Sequence, residues 1–279
     1  MKTLYVSDLD GTLLRSDETI SEYTAQTINR LTNQGMLFSC ATARSYHTAK
    51  KVTKGLEAKI PLVVYNGAFI LDNVTGTVMC SNFFGEEAKG ILDDFIENNL
   101  YPIVYAYIDD VEKFSFIPDK CSMAQAEFLS SRKGDVRTNV VSEKEQLYAG
   151  SIFYFTCIDE KEKLEPLYER YKGSCHCVFQ KDIYSGEQWL EIMPLAASKS
   201  NAIRQLKEYL NCDKVVVFGD AINDLDMFQK ADECYAVANA VPELKAIATQ
   251  VIDGNNEDGV VKWLEEEYDL QCRKRNGTN

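Results

Sequence analysis

Two aspartates stand two residues apart where a short apolar run ends: residues 4–6 lead into Asp8-Leu9-Asp10-Gly11-Thr12. On an extended chain, positions i and i+2 share a side, so both carboxylates would face one spot. Side-by-side acids repel, and such pairs hold a cation or divide acid and base roles. Gly11 lets the chain leave the strand in a conformation that other residues resist. Asp and Gly also populate ordinary turns, so this pair alone does not define a site. A second acidic group closes another apolar run: residues 215–218 lead into Gly219-Asp220-Ala221-Ile222-Asn223-Asp224. Four hard oxygen donors suit Mg²⁺, which takes few protein carboxylates beside water and phosphate oxygens. They suit Zn²⁺ poorly, since neither His nor Cys accompanies them. The chain has two histidines, and of these only His47 follows a strand end.

Polar groups complete the set. Thr42 follows a strand and can donate a hydrogen bond to an anion. Lys199 opens a helix, where its cation joins the positive end of the dipole to attract phosphate. Arg44 and Asn66 also stand just past strand ends, although nothing in the sequence fixes their direction.

The elements that must position these residues alternate. Residues 4–6, 37–41 and 62–65 read as buried strands, and 21–34 as a helix with Ile20, Thr24, Ile28 and Leu31 on one face and Gly35 at its end. That alternation implies βαβ units and a parallel sheet, beyond whose carboxyl ends ligands bind. The rhythm changes in the middle. Residues 69–83 read as strands with a turn at 73–76, 86–99 as an amphipathic helix, and 102–117 as strands. Residues 152–158 form a strand, 160–171 a helix and 175–179 a strand. This α+β stretch is placed at 85–187 with an antiparallel sheet. Parallel rhythm then returns: Ser198 caps a helix to 210, strands follow at 215–218 and 235–238, Pro242 starts a helix, and Asp258 caps a last one through 268. The expected fold is α/β: a Rossmann-like parallel-sheet core with helices on both faces (1–84 and 188–279), split by an inserted α+β domain (85–187).

The 279 residues carry 30 basic and 43 acidic side chains, a net charge of −13. That argues against nucleic acid or an anionic membrane as partner. No apolar stretch reaches the length of a membrane span. The N-terminus lacks the pattern of a secretory signal, and nine scattered cysteines suggest no disulfide framework, so a reduced cytoplasmic location is expected. Cys175-His176-Cys177 lacks a second ligand pair, and its alternate residues would point to opposite faces of a strand. Tyr105, Tyr107, Phe114, Phe116 and Tyr184 are placed mainly in the core. Nothing in the sequence specifies monomer or homodimer.

The order Asp8-Leu9-Asp10-Gly11-Thr12-Leu13, Thr42, Lys199, then Gly219-Asp220 with Asn223-Asp224, resembles the haloacid dehalogenase-like superfamily of phosphohydrolases. A large insert between the Thr and the Lys is similar to the Cof-type branch with a type IIB cap. Asn66-Gly67-Ala68, Leu190-Glu191-Ile192, Asn239-Ala240 and Glu257-Asp258-Gly259-Val260 agree. The resemblance implies that Asp8 is a nucleophile forming an aspartyl-phosphate, and that Asp10 protonates the leaving group and then activates water. It implies Mg²⁺ on Asp8, the Asp10 backbone carbonyl, Asp220 and Asp224. Thr42 and Lys199 would hold phosphoryl oxygens, with Gly11, Arg44, Asn66 and Asn223 as further phosphate candidates. The implied substrate is a small phosphate ester, such as a sugar phosphate or a phosphorylated cofactor or precursor, with specificity in the cap. Alternatives are a sugar phosphomutase using the same aspartyl-phosphate and a catalytically silent ligand-binding module. Two departures from the family pattern stand in the phosphate region: Ala43 and Ser200 each replace a glycine.

The charge divides unevenly. Residues 85–187 hold 12 basic and 20 acidic side chains, and the remainder 18 and 23. A divalent ion among the core acids, with Lys199, would make a phosphate-attracting point in an acidic protein.

Overall fold

The computed structural model describes residues 1–57, 61–181 and 186–275, with side chains through Tyr268. Tyr184, named above as a core aromatic, lies outside the described residues. In chain order the first elements are β1 (Thr3–Ser7), α1 (Glu22–Asn33), β2 (Leu37–Cys40), α2 (Tyr46–Val52), β3 (Leu62–Val64), β4 (Phe69–Leu71) and β5 (Val78–Ser81). Next come α3 (Glu87–Glu97), β6 (Ile103–Ile108), β7 (Val111–Phe116), α4 (Met123–Ser130), β8 (Thr138–Val140), β9 (Ser151–Asp159), α5 (Lys161–Tyr171), β10 (His176–Lys181) and β11 (Gln188–Met193). The last are α6 (Lys199–Tyr209), β12 (Lys214–Gly219), α7 (Leu225–Lys230), β13 (Glu233–Val237), α8 (Pro242–Ile247), β14 (Gln250–Ile252) and α9 (Gly259–Arg275).

The chain forms two compact units, one of residues Met1–Ser81 with Ser198–Asn279 and one of Asn82–Ala197. The first is built on a five-stranded sheet in the order β14-β13-β12-β1-β2, with every pairing parallel. From β1 the chain proceeds outward to β2, and from β12 it proceeds outward the other way to β13. The boundary between β1 and β12 is therefore the switch point where open α/β sheets bind ligands. Register fixes what stands there. Ser7 pairs with both Phe218 and Cys40, so Asp8, Ala41-Thr42 and Gly219-Asp220 emerge side by side.

The helices separate into two groups, α1 with α9 and α6 with α7 and α8. On one side Trp263 of α9 packs on Tyr5, Phe218 and Tyr235, with ring centroids 6.3, 5.2 and 4.2 Å away. Those three rings come from adjacent strands, so one indole covers the sheet's middle. Helix starts follow local chemistry: the hydroxyls of Ser21 and Ser198 accept the amides of Thr24 and Asn201. Asp258 contributes its carbonyl to the Lys262 amide, but its carboxylate goes to Arg15 and Thr24 instead of capping α9. α9 continues past the expected end at 268.

The strand at 62–65 departs from its expected place in the parallel sheet. Tyr65, Asn66 and Gly67 all take positive φ (51°, 50° and 99°), which turns the chain back on itself. β4 then lies antiparallel on β3, and β5 on β4. A single parallel bridge, Ala41 to Val63, ties this three-stranded sheet to the end of β2.

The second unit is a six-stranded sheet in the order β10-β11-β9-β6-β7-β8, antiparallel apart from β7 with β8. α3 and α5 contribute Ile91, Leu92, Phe95, Leu164 and Leu167 to a core with Val104, Phe155, Leu190 and Ile192. The sequence boundary at 187/188 falls too early. β11 is an interior strand of this sheet, and Leu190 and Ile192 alternate into its core, so the unit extends to Ala197. Tyr105, Phe114 and Phe116 are buried and Tyr107 is half-buried. His176 and Cys177 lie on β10, and the Cys175-His176-Cys177 triplet is not among the described groups of residues arranged to hold a metal. Among the described residues, no helix is long and apolar enough to cross a membrane.

Candidate active site

β1 ends at Ser7, and the chain enters a wide helical turn over Leu9–Leu13. Asp8 stands between the two in extended conformation, anchored where its amide donates to the Phe218 carbonyl at 3.0 Å. The chain has left the sheet by Leu9, and the turn is kinked at Asp10 and Gly11 (φ +73°), so the strand's period of two no longer fixes where the Asp10 side chain points. Asp8 and Asp10 accordingly diverge, contrary to the expectation that both carboxylates address one spot.

Asp8 turns inward. Its carboxylate, with those of Asp220 and Asp224, forms a cluster whose nearest oxygens lie within 4.8 Å of one another. Lys199 enters from the first turn of α6, and its Nζ donates to Asp8 Oδ1 at 2.6 Å and Asp224 Oδ1 at 2.7 Å. Lys199 is 1% exposed, Asp8 5% and Asp224 0%. Asp224 is also held from behind: its Oδ2 accepts the amides of Asp220 and Ala221 at 3.0 and 3.2 Å. The Thr12 hydroxyl donates to Asp220 Oδ1 at 2.8 Å. Thr12 lies within the motif quoted from the sequence, but its spacing there gives it no role. Only the fold shows that it reaches the other acidic strand end.

Two buried acids and the half-buried Asp220 around one ammonium leave excess negative charge. Burial, then the carboxylates of Asp224, Asp220 and Asp10, push the Asp8 carboxyl well above the usual range, with Lys199 opposing. Burial and Asp224 push Asp220 up to about 7, with Thr12 and Lys199 opposing. For Lys199, burial lowers the pKa, but Asp224 and Asp8 outweigh it and hold the ammonium protonated. An all-oxygen cluster short of positive charge fits a hard divalent cation of the Mg²⁺ type.

Asp10 points elsewhere. Its carboxylate receives Arg44 Nε at 3.1 and 2.8 Å and Arg44 Nη2 at 2.6 Å, and Glu18 takes the same guanidinium at 2.9 Å. Arg44 is thus committed to two carboxylates. Thr42 is fully buried, and its Oγ1 accepts the Arg44 amide at 3.0 Å, which leaves its own hydroxyl proton to donate. Asn66 and Asn223 meet side chain to side chain at 3.4 Å. Asn239 reaches back to the Gly11 carbonyl at 2.7 Å and so braces the turn that carries Asp10.

Two glycines are needed for close approach. At Gly11 (φ +73°), a Cβ would stand 2.3 Å from Asp220 Oδ2. At Gly67 (φ +99°), it would stand 2.2 Å from the Ser198 carbonyl oxygen, at the cap that launches Lys199. Gly67→Ala is therefore expected to lower thermal stability by more than ~1 kcal/mol and to cut turnover by displacing Lys199; a melting curve and a rate assay check both. The replaced glycines are accommodated. Ala43 does not take positive φ. Ser200 Oγ meets Ser198 Oγ at 3.1 Å and accepts from Lys230 Nζ at 3.1 Å.

The family model for haloacid dehalogenase-like hydrolases matches residues 5–264. Two Bacillus subtilis relatives are similar to the chain over nearly its full length. The 5-amino-6-(5-phospho-D-ribitylamino)uracil phosphatase YitU is 27% identical, covering 96% of this chain and 98% of its own. YwtE, a phosphatase of the same name, is 27% identical over 93% of this chain and 96% of its own. The crystal structure of TM0651 from Thermotoga maritima superposes with a TM-score of 0.75 at 30% identity, covering 95% of this chain and 97% of that one. An acid cluster at the β1/β12 switch point, split in sequence by an inserted α+β unit, accompanies those matches: the chain belongs to the haloacid dehalogenase-like hydrolase family, and it is an enzyme.

Proposed function

We propose that the protein is a Mg²⁺-dependent phosphatase of small phosphate monoesters, working through an aspartyl-phosphate on Asp8. The observation that carries this reading is the Lys199 ammonium buried between Asp8 and Asp224, with Asp220 beside them. Lys199 opposes the burial that disfavours the Asp8 carboxylate and offers positive charge to an incoming phosphoryl group. Asp8, Asp220, Asp224 and the Asp10 backbone carbonyl would hold Mg²⁺, which would neutralise charge on the phosphoryl oxygens.

In the first step an Asp8 oxygen bonds to phosphorus, the ester P–O bond breaks, and the leaving oxygen takes the proton of the Asp10 carboxyl group. In the second, water bonds to phosphorus and gives its proton to the Asp10 carboxylate. The Asp8–phosphorus bond breaks and inorganic phosphate leaves. The Thr42 hydroxyl, with its proton free, binds a phosphoryl oxygen. Gly11, Asn66 and Asn223 would offer further contacts to the phosphoryl group. Substrate choice is assigned to the inserted unit.

The names of the two B. subtilis relatives point to a phosphorylated ribityl compound, within the class of sugar phosphates and cofactor precursors. The test is a panel of phosphate esters that includes 5-amino-6-(5-phospho-D-ribitylamino)uracil, scored by released phosphate with Mg²⁺ and with chelator. Release is expected only with Mg²⁺, and in chelator the esters should also bind poorly to the acidic pocket. Equal turnover or equal affinity in both conditions would overturn the metal's part in the reading.

A further inference from the structure

We infer that Arg44 is the positioning residue for the acid–base carboxylate: with Glu18 as its second anchor, it holds Asp10 outside the Asp8–Asp220–Asp224 cluster and aims it at the leaving group. The inference rests on the reading of Asp10 proposed above.

Asp10 is the one acid of its motif that the cluster does not contain. Its side chain is 46% exposed, while that of Arg44 is only 20% exposed. An exposed Asp on a turn samples several rotamers, and a nearby divalent cation would capture a carboxylate left free two residues from Asp8. Arg44 prevents this through geometry. Its planar fork makes three hydrogen bonds to Asp10, which fix the carboxylate's plane as well as its position. The remaining charge is directed to Glu18, a residue at φ +59° on the loop that follows the Asp10 turn.

The fork has a rigid base. The Arg44 amide donates to Thr42 Oγ1 at 3.0 Å, and the Arg44 carbonyl accepts the Tyr65 amide at 3.0 Å. The residue that orients Asp10 is therefore built onto the residue that offers its hydroxyl to phosphate. Burial alone would lower the Arg44 pKa, but Asp10 and Glu18 outweigh it, so the guanidinium stays charged throughout the working range.

The test compares kcat/KM for two substrates, an alkyl phosphate whose leaving oxygen needs a proton and p-nitrophenyl phosphate whose leaving group does not. This ratio reports steps up to phosphoryl transfer and excludes the later attack of water. Asp10→Asn is expected to lower the alkyl value by ~10²-fold or more and to leave the aryl value within about 5-fold. Arg44→Ala should reproduce that selectivity at about 10²-fold, and Arg44→Lys should restore part of the loss through charge without the fork. The double variant Asp10→Asn with Arg44→Ala should be no slower than Asp10→Asn alone. Glu18→Gln, on an exposed loop, should move the alkyl value in the same direction by a smaller factor.

Equal losses on both substrates in Arg44→Ala, with Asp10→Asn still selective, would overturn the inference and mark Arg44 as a phosphate-binding or structural residue. A non-selective Asp10→Asn would overturn the acid role itself, and the inference with it. Should Arg44→Ala not fold, Arg44→Lys and Glu18→Gln make the same comparison, and their failure to discriminate between substrates would be decisive.

Discussion

Asp8→Asn is expected to lower turnover of p-nitrophenyl phosphate in saturating Mg²⁺ by on the order of 10⁴-fold or more, while the protein stays folded. The amide keeps the shape of the carboxylate but cannot form an acyl phosphate, so the covalent step is lost rather than slowed. Thr42, Lys199 and the other acids remain, which is why substrate binding should suffer less than kcat. Stability should move little or rise in chelator. Burial and neighbouring acids push the Asp8 carboxyl upward, which means the fold disfavours its charged form, and a neutral isostere relieves that repulsion. The Asn carbonyl can still accept from Lys199 Nζ. Acid quenching during turnover should give wild-type protein with the mass of one added phosphoryl group, and the variant without it. Turnover within tenfold of wild type, or phosphoryl mass on the variant, would exclude Asp8 as the nucleophile.

The parts of this site that were legible beforehand are those governed by backbone periodicity. β1, β2 and β12 end at acids or at Thr42, and parallel register then brings those ends together, so Asp8, Asp220, Asp224 and Lys199 were readable as one group. Ser198 was readable as a cap because its chemistry is local. What escaped depends on direction within a turn. A period of two holds only within the strand, but the chain leaves β1 after Ser7 and kinks at Asp10-Gly11, and the second carboxylate goes to Arg44. Arg44 was visible as a polar residue past a strand end, and its commitment to Asp10 and Glu18 was not, because those residues lie 34 and 26 positions earlier.

The same limit explains the other differences. The 62–65 strand stops at Val64 and turns back into an antiparallel pair because three consecutive residues take positive φ, a conformation that Asn66-Gly67 favours but that Tyr65 does not announce. The sequence does not place β11 in the inserted unit because a strand's sheet membership is set by its partners, and one of them, β9, lies about 30 residues earlier. α4 is apolar on no single face, so it lacks the periodic signal on which helix recognition depends.

Lys199→Met should produce the largest loss of stability, and its dependence on conditions is more telling than its size. Removing one partner of a buried ion pair strands the others; here the Asp8 and Asp224 carboxylates lose their shared ammonium. Such losses run to ~3–5 kcal/mol, or roughly 6–20 °C in melting temperature for a domain of this size. The sign with pH follows from the direction of the shifts. The Lys199 pKa is raised, so the ammonium's contribution is fully present below the ordinary lysine value and persists through the neutral range. Asp8 is already pushed upward by burial, and without the lysine it takes up a proton more readily still. The deficit in chelator should therefore be largest near pH 8 and shrink as pH falls toward 4, where protonation substitutes for the lost cation. Mg²⁺ should also narrow it, since a divalent ion supplies positive charge to the same three acids. Activity should not recover in parallel: kcat should stay down by about 10²-fold or more, because a divalent ion would not replace the hydrogen bond that the Lys199 ammonium donates to Asp8. Adding Asp224→Asn should make the protein more stable than Lys199→Met alone, a non-additivity expected of groups in direct contact. A chelator melting temperature within about 2 °C of wild type at pH 8 would show that Lys199 does not hold the acid cluster together.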